Sequence, residues 1–372
     1  MPTIAIDATY AIDPNPSGVA VYSRRLIESL AELNSPYCFL LCYRLSRWRK
    51  RNQFLKLQGA AGAGPRFENR YVQAGLTLWL PRQARLFHSL AQRPPAHRFA
   101  REVATIFDLF PITSRDYSTP EFQKKFAKLL HPAAERSDRV ITLSRATADL
   151  LVRHCGTPPE RIRVIPGGVD LPRRVLSEAE RQAERERLVG LGRYLALCVG
   201  AIQTRKNTLN AVRALAQLPA SYKLVLAGSE GHGSESVIEF IRREKLDSRV
   251  IRLGYVSTEW LPTLYQAANV LLFPSLEEGF GLPVLEAMAA GTPVVTSQTS
   301  CLPEVGGNAA LYADPFDTTD IADKVRRAVE DDLLRQEMIR RGLERARQFT
   351  WRRAAEETLK VYRELVGAPG VN

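Results

Sequence analysis

Short apolar runs alternate along the chain with longer segments whose apolar residues recur at three- and four-residue steps, the pattern of strands joined by crossover helices. Thr3 to Asp7 (TIAID) reads as a strand, followed by a loop with Pro14, Pro16 and Gly18 and a helix with Tyr22, Leu26, Leu30 and Leu33 on one face. EVATIFDLF and RVITLS read as further buried strands, and RIRVIPGGVD, Arg161 to Asp170, ends a strand in a turn that marks a boundary. Beyond it, Ser177 and Glu180 have capping-box spacing at the head of a charged helix. The runs RYLALCVGA, YKLVLAGS, RVIRLGYV, ANVLLFPS and GTPVVTS then read as strands with helices between them. From Asp317 to Phe349 the pattern is helical, and a last helix carries Ala355, Leu359, Tyr362 and Val366 on one face. The expectation is an α/β protein with two units of similar size, as its 372 residues also suggest.

The segment Leu271 to Ser297, LLFPSLEEGFGLPVLEAMAAGTPVVTS, interrupts this regularity with acids and glycines. Pro283 suits the first turn of a helix and Gly291 the position past its end, so a helix is expected over about Leu282 to Ala290. Strand, loop, helix, strand makes one β-α-β unit, and ligands bind outside the carboxyl ends of parallel strands. Gly279, Phe280 and Gly281 fall there, where backbone amides and the helix N-terminus favour phosphate. Glu278 and Glu286 cannot bind phosphate; as acceptor-only groups they suit the hydroxyls of a sugar or ribose. A nucleotide sugar offers both kinds of partner. Taken singly, each residue has a plainer explanation in a tight turn or a solvated helix face, but turn chemistry accounts for neither glutamate. Arg205 and Lys206, just after the apolar strand YLALCVG, would sit at the same sheet edge, where charge-assisted bonds to phosphate are worth about 1.5 to 3 kcal/mol each.

Charge adds a second kind of partner. The net charge is +12, and residues 1–170 carry 25 basic against 14 acidic residues while residues 171–372 carry 27 against 26. A basic first half suits an anionic partner, and the stretches Arg44 to Arg51, with Trp48, and Phe122 to Leu130 mix cations with aromatics as a headgroup layer favours. A solvated arginine-rich surface explains the same numbers equally well. No nucleic-acid signature accompanies them, so no nucleic-acid partner is expected. No run of 18 apolar residues and no signal-peptide pattern occurs, which leads to the expectation of a cytoplasmic protein, peripheral at most on the inner face of the membrane. Five cysteines, an odd number without paired metal-ligand spacing, suit reduced core thiols.

The run E-G-F-G-L-P-x-L-E-A-M-A-x-G-x-P-V-V, with Glu278 and Glu286 seven residues apart, resembles the E-x7-E signature of the retaining nucleotide-sugar glycosyltransferases of family four. Gly18, DRVITLS at 138–144, VIPGGVD at 164–170, VGAIQTRKN at 199–207 and LGYV at 253–256 extend the resemblance over nearly the whole chain. It implies the GT-B architecture: two facing Rossmann-like domains, 1–168 with a returning C-terminal helix 352–372, and 169–351, with an interdomain cleft. It also implies roles. Glu278 would approach the donor sugar and Glu286 the ribose; Gly279, Phe280, Gly281 and Leu282 would line the sugar and diphosphate; Arg205 and Lys206 would clamp the diphosphate. Val256 would join the donor site, Gly18 would add an amide to it, and Glu278, Arg205, Lys206 and Asp108 form the implied catalytic set.

Two departures stand out. Many relatives carry histidine before the aspartate in ATIFDLF, where this chain has Phe107 before Asp108. His88 is a candidate replacement on the acceptor side, beside Phe107, although a lone histidine is more often structural. Gly167 stands in VIPGGVD where relatives usually have asparagine, a change expected to affect hinge geometry. No D-x-D triplet occurs, so no metal and no cofactor is expected beyond the nucleotide sugar as co-substrate. The RKN variant resembles mannosyltransferases of bacterial surface polysaccharide pathways, which implies GDP-mannose as donor and a glycan or lipid-linked glycan as acceptor. The alternatives are another GT-B enzyme, such as a sugar-nucleotide epimerase or a phosphorylase, and a nucleotide-sugar-binding protein without turnover.

Overall fold

The computed structural model describes residues 2–13, 16–44, 66–71 and 80–367, the segment 66–71 by its backbone alone. The chain divides into two compact units. One comprises Met1–Leu109, Lys124–Gly168 and Phe349–Asn372, and the other Phe110–Gln123 and Val169–Gln348.

The first unit is built on a parallel sheet of β1 (Thr3–Asp7), β2 (Cys38–Tyr43), β3 (Arg66–Tyr71), β4 (Leu86–Ser89), β5 (Arg101–Thr105), β6 (Arg139–Thr142) and β7 (Ile162–Val164). Their order is β3-β2-β1-β4-β5-β6-β7. Ile4, Ala5 and Ile6 are fully buried, as expected of a central strand covered on both faces. Helices α1 (Gly18–Glu32), α2 (Pro120–Arg136) and α3 (Arg145–Cys155) are the crossovers.

The second unit has a parallel sheet of β8 (Tyr194–Val199), β9 (Tyr222–Ala227), β10 (Val250–Gly254), β11 (Val270–Phe273), β12 (Val294–Ser297) and β13 (Ala310–Ala313), ordered β10-β9-β8-β11-β12-β13. The direction of strand addition reverses between β8 and β11, so the crevice at their carboxyl ends is where such a sheet takes a ligand. Helix α4 (Glu178–Val189) opens with the expected capping box, Ser177 and Glu180 each bonding the other's backbone. It is followed by α5 (Thr208–Gln217), α6 (Ser234–Arg243), α7 (Leu261–Ala267), α8 (Leu282–Ala289), α9 (Leu302–Gly306), α10 (Thr318–Glu330) and α11 (Asp332–Ala346).

The last helix, α12 (Trp351–Val366), returns to the first unit and packs along α1. The rings of Trp351 and Tyr22 meet edge-on at 5.9 Å. Gly168 lies against its first turn, where a Cβ would come within 2.2 Å of the Trp351 backbone nitrogen.

One segment departs from the expected uninterrupted first domain of residues 1–168. Phe110–Gln123 packs with the second unit because the Arg205 guanidinium lies 4.5 Å from the Phe110 ring centre and the Thr113 hydroxyl donates to Glu277 Oε2 at 2.6 Å. All five cysteines are free thiols, as expected. Among the described residues no helix is long and apolar enough to cross a membrane. The basic stretch after Arg44, the glycine-rich Gly59 to Gly64 and Pro14 lie outside the described residues.

Candidate functional site

β11 (VLLF) is wholly buried, and the chain leaves it through Pro274 into the loop that carries Glu278. The loop ends at Gly281, where a φ of 97° and a close neighbour both demand glycine: a Cβ there would lie 2.9 Å from Leu302 Cδ2. α8 starts at Leu282 with Pro283 in its first turn, as the sequence predicts.

The two cations come from the neighbouring strand. β8 runs into Gly200 (φ 125°), whose missing side chain leaves room for the Lys206 aliphatic stem: a Cβ there would touch Lys206 Cε at 3.3 Å. A 3₁₀ turn over Thr204–Lys206 then presents both side chains toward the β11 loop. Lys206 Nζ lies 2.6 Å from Glu278 Oε1, and Arg205 Nη1 lies 3.1 Å from Oε2 and also donates to the Glu277 carbonyl. Nζ also sits 4.6 Å from the centre of the Phe273 ring. Arg205 and Glu278 are each less than a tenth exposed. Burial works to raise the Glu278 pKa, but the charges of Arg205 and Lys206 outweigh it and hold the carboxyl down at about 2.

Glu286 lies one and a half turns into α8, away from this triad in charge state. Desolvation pushes its carboxyl above the usual range; the Tyr265 hydroxyl, donating to Oε2 at 2.7 Å, opposes the shift and the charge of Asp170 adds to it.

The site thus joins a buried carboxylate with two cations, a glycine bend, a helix N-terminus and a second carboxylate at a switch-point crevice. The family description "Glycosyltransferase Family 4" matches residues 16–173 and "Glycosyl transferases group 1" matches residues 180–345. The O-antigen chain mannosyltransferase B of Escherichia coli is 33% identical over 275 residues, covering 72% of this chain and 72% of that one. The chain belongs to glycosyltransferase family 4. Several other curated relatives are longer, matched over about a third to a half of their own length. Among solved structures, sucrose-phosphate synthase from Thermosynechococcus elongatus superposes with a TM-score of 0.75 at 22% identity, covering 98% of this chain and 99% of that one. Anabaena HepE in complex with UDP-glucose gives 0.74 at 19%, covering 98% and 100%. Those likenesses are of fold: GT-B, α/β in two domains.

In this glycosyltransferase the expected site residues fall into two groups. Arg205, Lys206, Val256, Glu278, Gly279, Phe280, Gly281, Leu282 and Glu286 belong to the second unit, Val256 lying just past the carboxyl end of β10. Gly18, His88, Phe107 and Asp108 belong to the first, where Gly18 opens α1 and is exposed. His88 is not available to a substrate. It is wholly enclosed between β5 and α12, with Nδ1 2.6 Å from the Tyr362 hydroxyl and Nε2 2.9 Å from Thr105 Oγ1. Burial lowers its pKa to about 3, so it is a neutral core residue joining the sheet to the last helix. Phe107 is also buried, edge-on to Tyr22 at 5.1 Å, so it fills core space.

The sequence reading missed residues that hold the candidate site in shape. Asn207 (φ 57°) and Ser300 (φ 58°) both adopt the left-handed conformation that favours glycine. Asn207 Nδ2 donates to the carbonyls of Pro274 (3.0 Å) and Pro315 (2.7 Å), tying together the loops after β8, β11 and β13. Ser300 Oγ accepts from the Glu278 amide (3.1 Å) and donates to the Glu278 carbonyl (2.7 Å). Gly228 is forced by contact, since a Cβ there would lie 2.0 Å from the Gly200 carbonyl oxygen. Small polar residues and glycines just past strand ends were the available signal.

Proposed function

We propose that this hexosyltransferase is a retaining, metal-independent mannosyltransferase that moves mannose from GDP-mannose to a hydroxyl of a glycan or lipid-linked glycan in surface polysaccharide synthesis. The observation that carries the reading is the convergence of Arg205 and Lys206 on Glu278 at the carboxyl edge of the second sheet. Cations able to neutralise a leaving diphosphate stand beside a carboxylate able to accept from sugar hydroxyls. Glu286, in the second turn of the adjoining helix, suits a ribose. The 33% identity to an O-antigen mannosyltransferase supports mannose and a glycan acceptor.

In the step itself the acceptor oxygen bonds to the anomeric carbon on the face the diphosphate leaves. The bond from that carbon to the phosphate oxygen breaks with its electron pair going to the diphosphate, and the acceptor proton passes to the departing oxygen. Arg205 and Lys206 stabilise the developing charge without a metal, together with the N-terminus of α8. Asp108, in the first unit, is assigned to the catalytic set by family resemblance, and Gly18 to the donor site. The enzyme is proposed to work in the cytoplasm, peripherally on an anionic membrane.

Transfer from GDP-mannose, UDP-glucose and ADP-glucose to an octyl α-mannoside, followed by NMR of the new anomeric linkage, tests the whole reading. Transfer is expected with GDP-mannose, in EDTA as in its absence, with the α configuration kept. An inverted product, a requirement for divalent metal or a clear preference for another donor overturns the corresponding part.

A further inference from the structure

Both cations assigned to the diphosphate are already engaged. Lys206 Nζ and Arg205 Nη1 lie 2.6 and 3.1 Å from opposite oxygens of one carboxylate, in a site where Arg205 and Glu278 are 7% and 8% exposed. At that burial, ionic strength screens the attraction little. A diphosphate entering the crevice therefore meets a standing competitor for the same two cations, one that is itself anionic and cannot accept a hydrogen bond from phosphate. Nor can the Glu278 main chain swing out of the way. Ser300 Oγ holds its amide at 3.1 Å and its carbonyl at 2.7 Å, and the Cys301 thiol donates to the same carbonyl at 3.2 Å.

A carboxylate so placed makes binding depend on what the diphosphate carries. With a sugar attached, the sugar's hydroxyls donate to Glu278 and compensate it for the cations it gives up. After transfer the sugar is gone, and the diphosphate left beside Glu278 has no donor for the carboxylate, the ribose hydroxyls being assigned to Glu286. Its attraction for Arg205 and Lys206 and its repulsion of phosphate then act together against the product.

We propose that Glu278 is an internal counter-ion that weakens the binding of the nucleoside diphosphate product and so drives its release, in addition to meeting the donor sugar. This rests on the nucleotide-sugar reading above. It differs from a sugar-contact role in its sign: a pure sugar contact has no effect on a ligand without sugar, whereas a counter-ion holds that ligand's affinity down.

The experiment is calorimetric titration of GDP, UDP and inorganic pyrophosphate into the full chain and into Glu278→Gln, which keeps the shape and removes the charge. The expected result is at least tenfold tighter binding of GDP or UDP to Glu278→Gln, with a smaller gain or a loss for the sugar nucleotide that the wild type uses. A tenfold change corresponds to about 1.4 kcal/mol. Turnover of the variant should show an initial burst followed by product inhibition. Glu278→Asp, whose shorter carboxylate cannot reach both cations, should give an intermediate tightening, and it decides the matter if Glu278→Gln fails to fold. Unchanged or weaker binding of nucleoside diphosphate in both variants, with the wild type binding it, overturns the counter-ion role and leaves the donor reading intact. If the wild type binds none of the three ligands and no sugar nucleotide, the donor reading itself falls and this inference with it.

Discussion

At the scale of single residues, the side chains flanking the Glu278 triad make the sharpest predictions. Ser300 and Asn207 are non-glycine residues at positive φ, a conformation that persists when surrounding bonds enforce it. Replacing Ser300 by glycine removes its bonds while relieving the backbone, so folding stability should change by less than about 1 kcal/mol, whereas Asn207→Gly takes the donor from the buried Pro274 carbonyl and should cost about 1 to 3 kcal/mol. The KM for donor should nevertheless rise several-fold, and Ser300→Gly should cost little further once Glu278 is already glutamine, because the two act through one loop. Additive losses in that double-mutant cycle count against a positioning role. The two glutamates differ in pH response. Glu278, ordinarily at 4.5 and held at about 2 here, contributes stability that is complete above 4.5 and is lost as pH falls toward 2. Urea melts across that window should slope for the wild type and flatten for Glu278→Gln. Glu286 is raised, so as pH climbs above 4.5 the folded carboxyl keeps a proton the unfolded one has lost, and stability falls until the folded group ionises. Donor affinity, if ribose needs the ionised form, rises over that same interval. The meeting of Glu278 with Arg205 and Lys206 was legible in the sequence, because an adjacent cation pair and a glycine loop each follow an apolar strand at the same sheet edge. Ser300 and Asn207 were not, since their work is done through main-chain bonds that only the folded loops create, and His88 misled because its two partners, Thr105 and Tyr362, lie far apart in sequence.

At the scale of elements, central strands read easily. The buried cores of these strands, Ile4–Ile6, Leu195–Leu197 and Val270–Phe273, show as unbroken apolar runs. β13 did not, because its residues Ala310 to Tyr312 are only partly buried at a sheet edge. The position of Phe110–Gln123 was also hidden: a ring against Arg205 and one hydroxyl to Glu277 decide it, and neither has a sequence period. The returning helix α12 was legible as a helix from its apolar stripe, but its seat depends on particular groups. Arg139 Nε and Arg163 Nη2 reach Glu364 Oε1 at 3.0 and 2.9 Å, and the Tyr37 hydroxyl donates to the Gly367 carbonyl at 3.2 Å. The ion pairs are partly exposed and contribute little, so Glu364→Ala should cost less than about 1 kcal/mol. Gly168→Ala is the severe change. Its methyl would sit 2.2 Å from the Trp351 nitrogen and 2.6 Å from the Thr350 carbonyl carbon, so the first turn of α12 must shift. Overpacking of this kind costs about 1 to 3 kcal/mol, and urea denaturation of Gly168→Ala against wild type measures it. A loss indistinguishable from that of Glu364→Ala would mean the helix accommodates the methyl by sliding.

At the scale of the whole molecule, the charge is the property that the site does not use. Of the net +12, residues 1–170 carry an excess of 11 basic side chains, 25 against 14, and part of it is displayed on α2. Lys124, Lys125 and Lys128 are exposed on that helix, and Phe122, 47% exposed with its ring stacked on Phe110 at 6.4 Å, lies near its start. A solvated surface needs the charges but not the ring. An anionic bilayer uses both, since basic residues near its surface contribute about 1 kcal/mol each and a ring inserts among headgroups. Reversing all three lysines to glutamate should therefore weaken binding to vesicles of phosphatidylglycerol and phosphatidylcholine by about a hundredfold or more, while Phe122→Ala should weaken it without altering its salt dependence. Flotation at low salt and again at high salt separates the terms, because the screening length shrinks from well beyond a lysine's reach to about the width of an ion pair. Equal flotation on neutral and anionic vesicles at low salt would leave the basic half as plain solvated surface, and no effect of the triple reversal would leave this face of α2 as such.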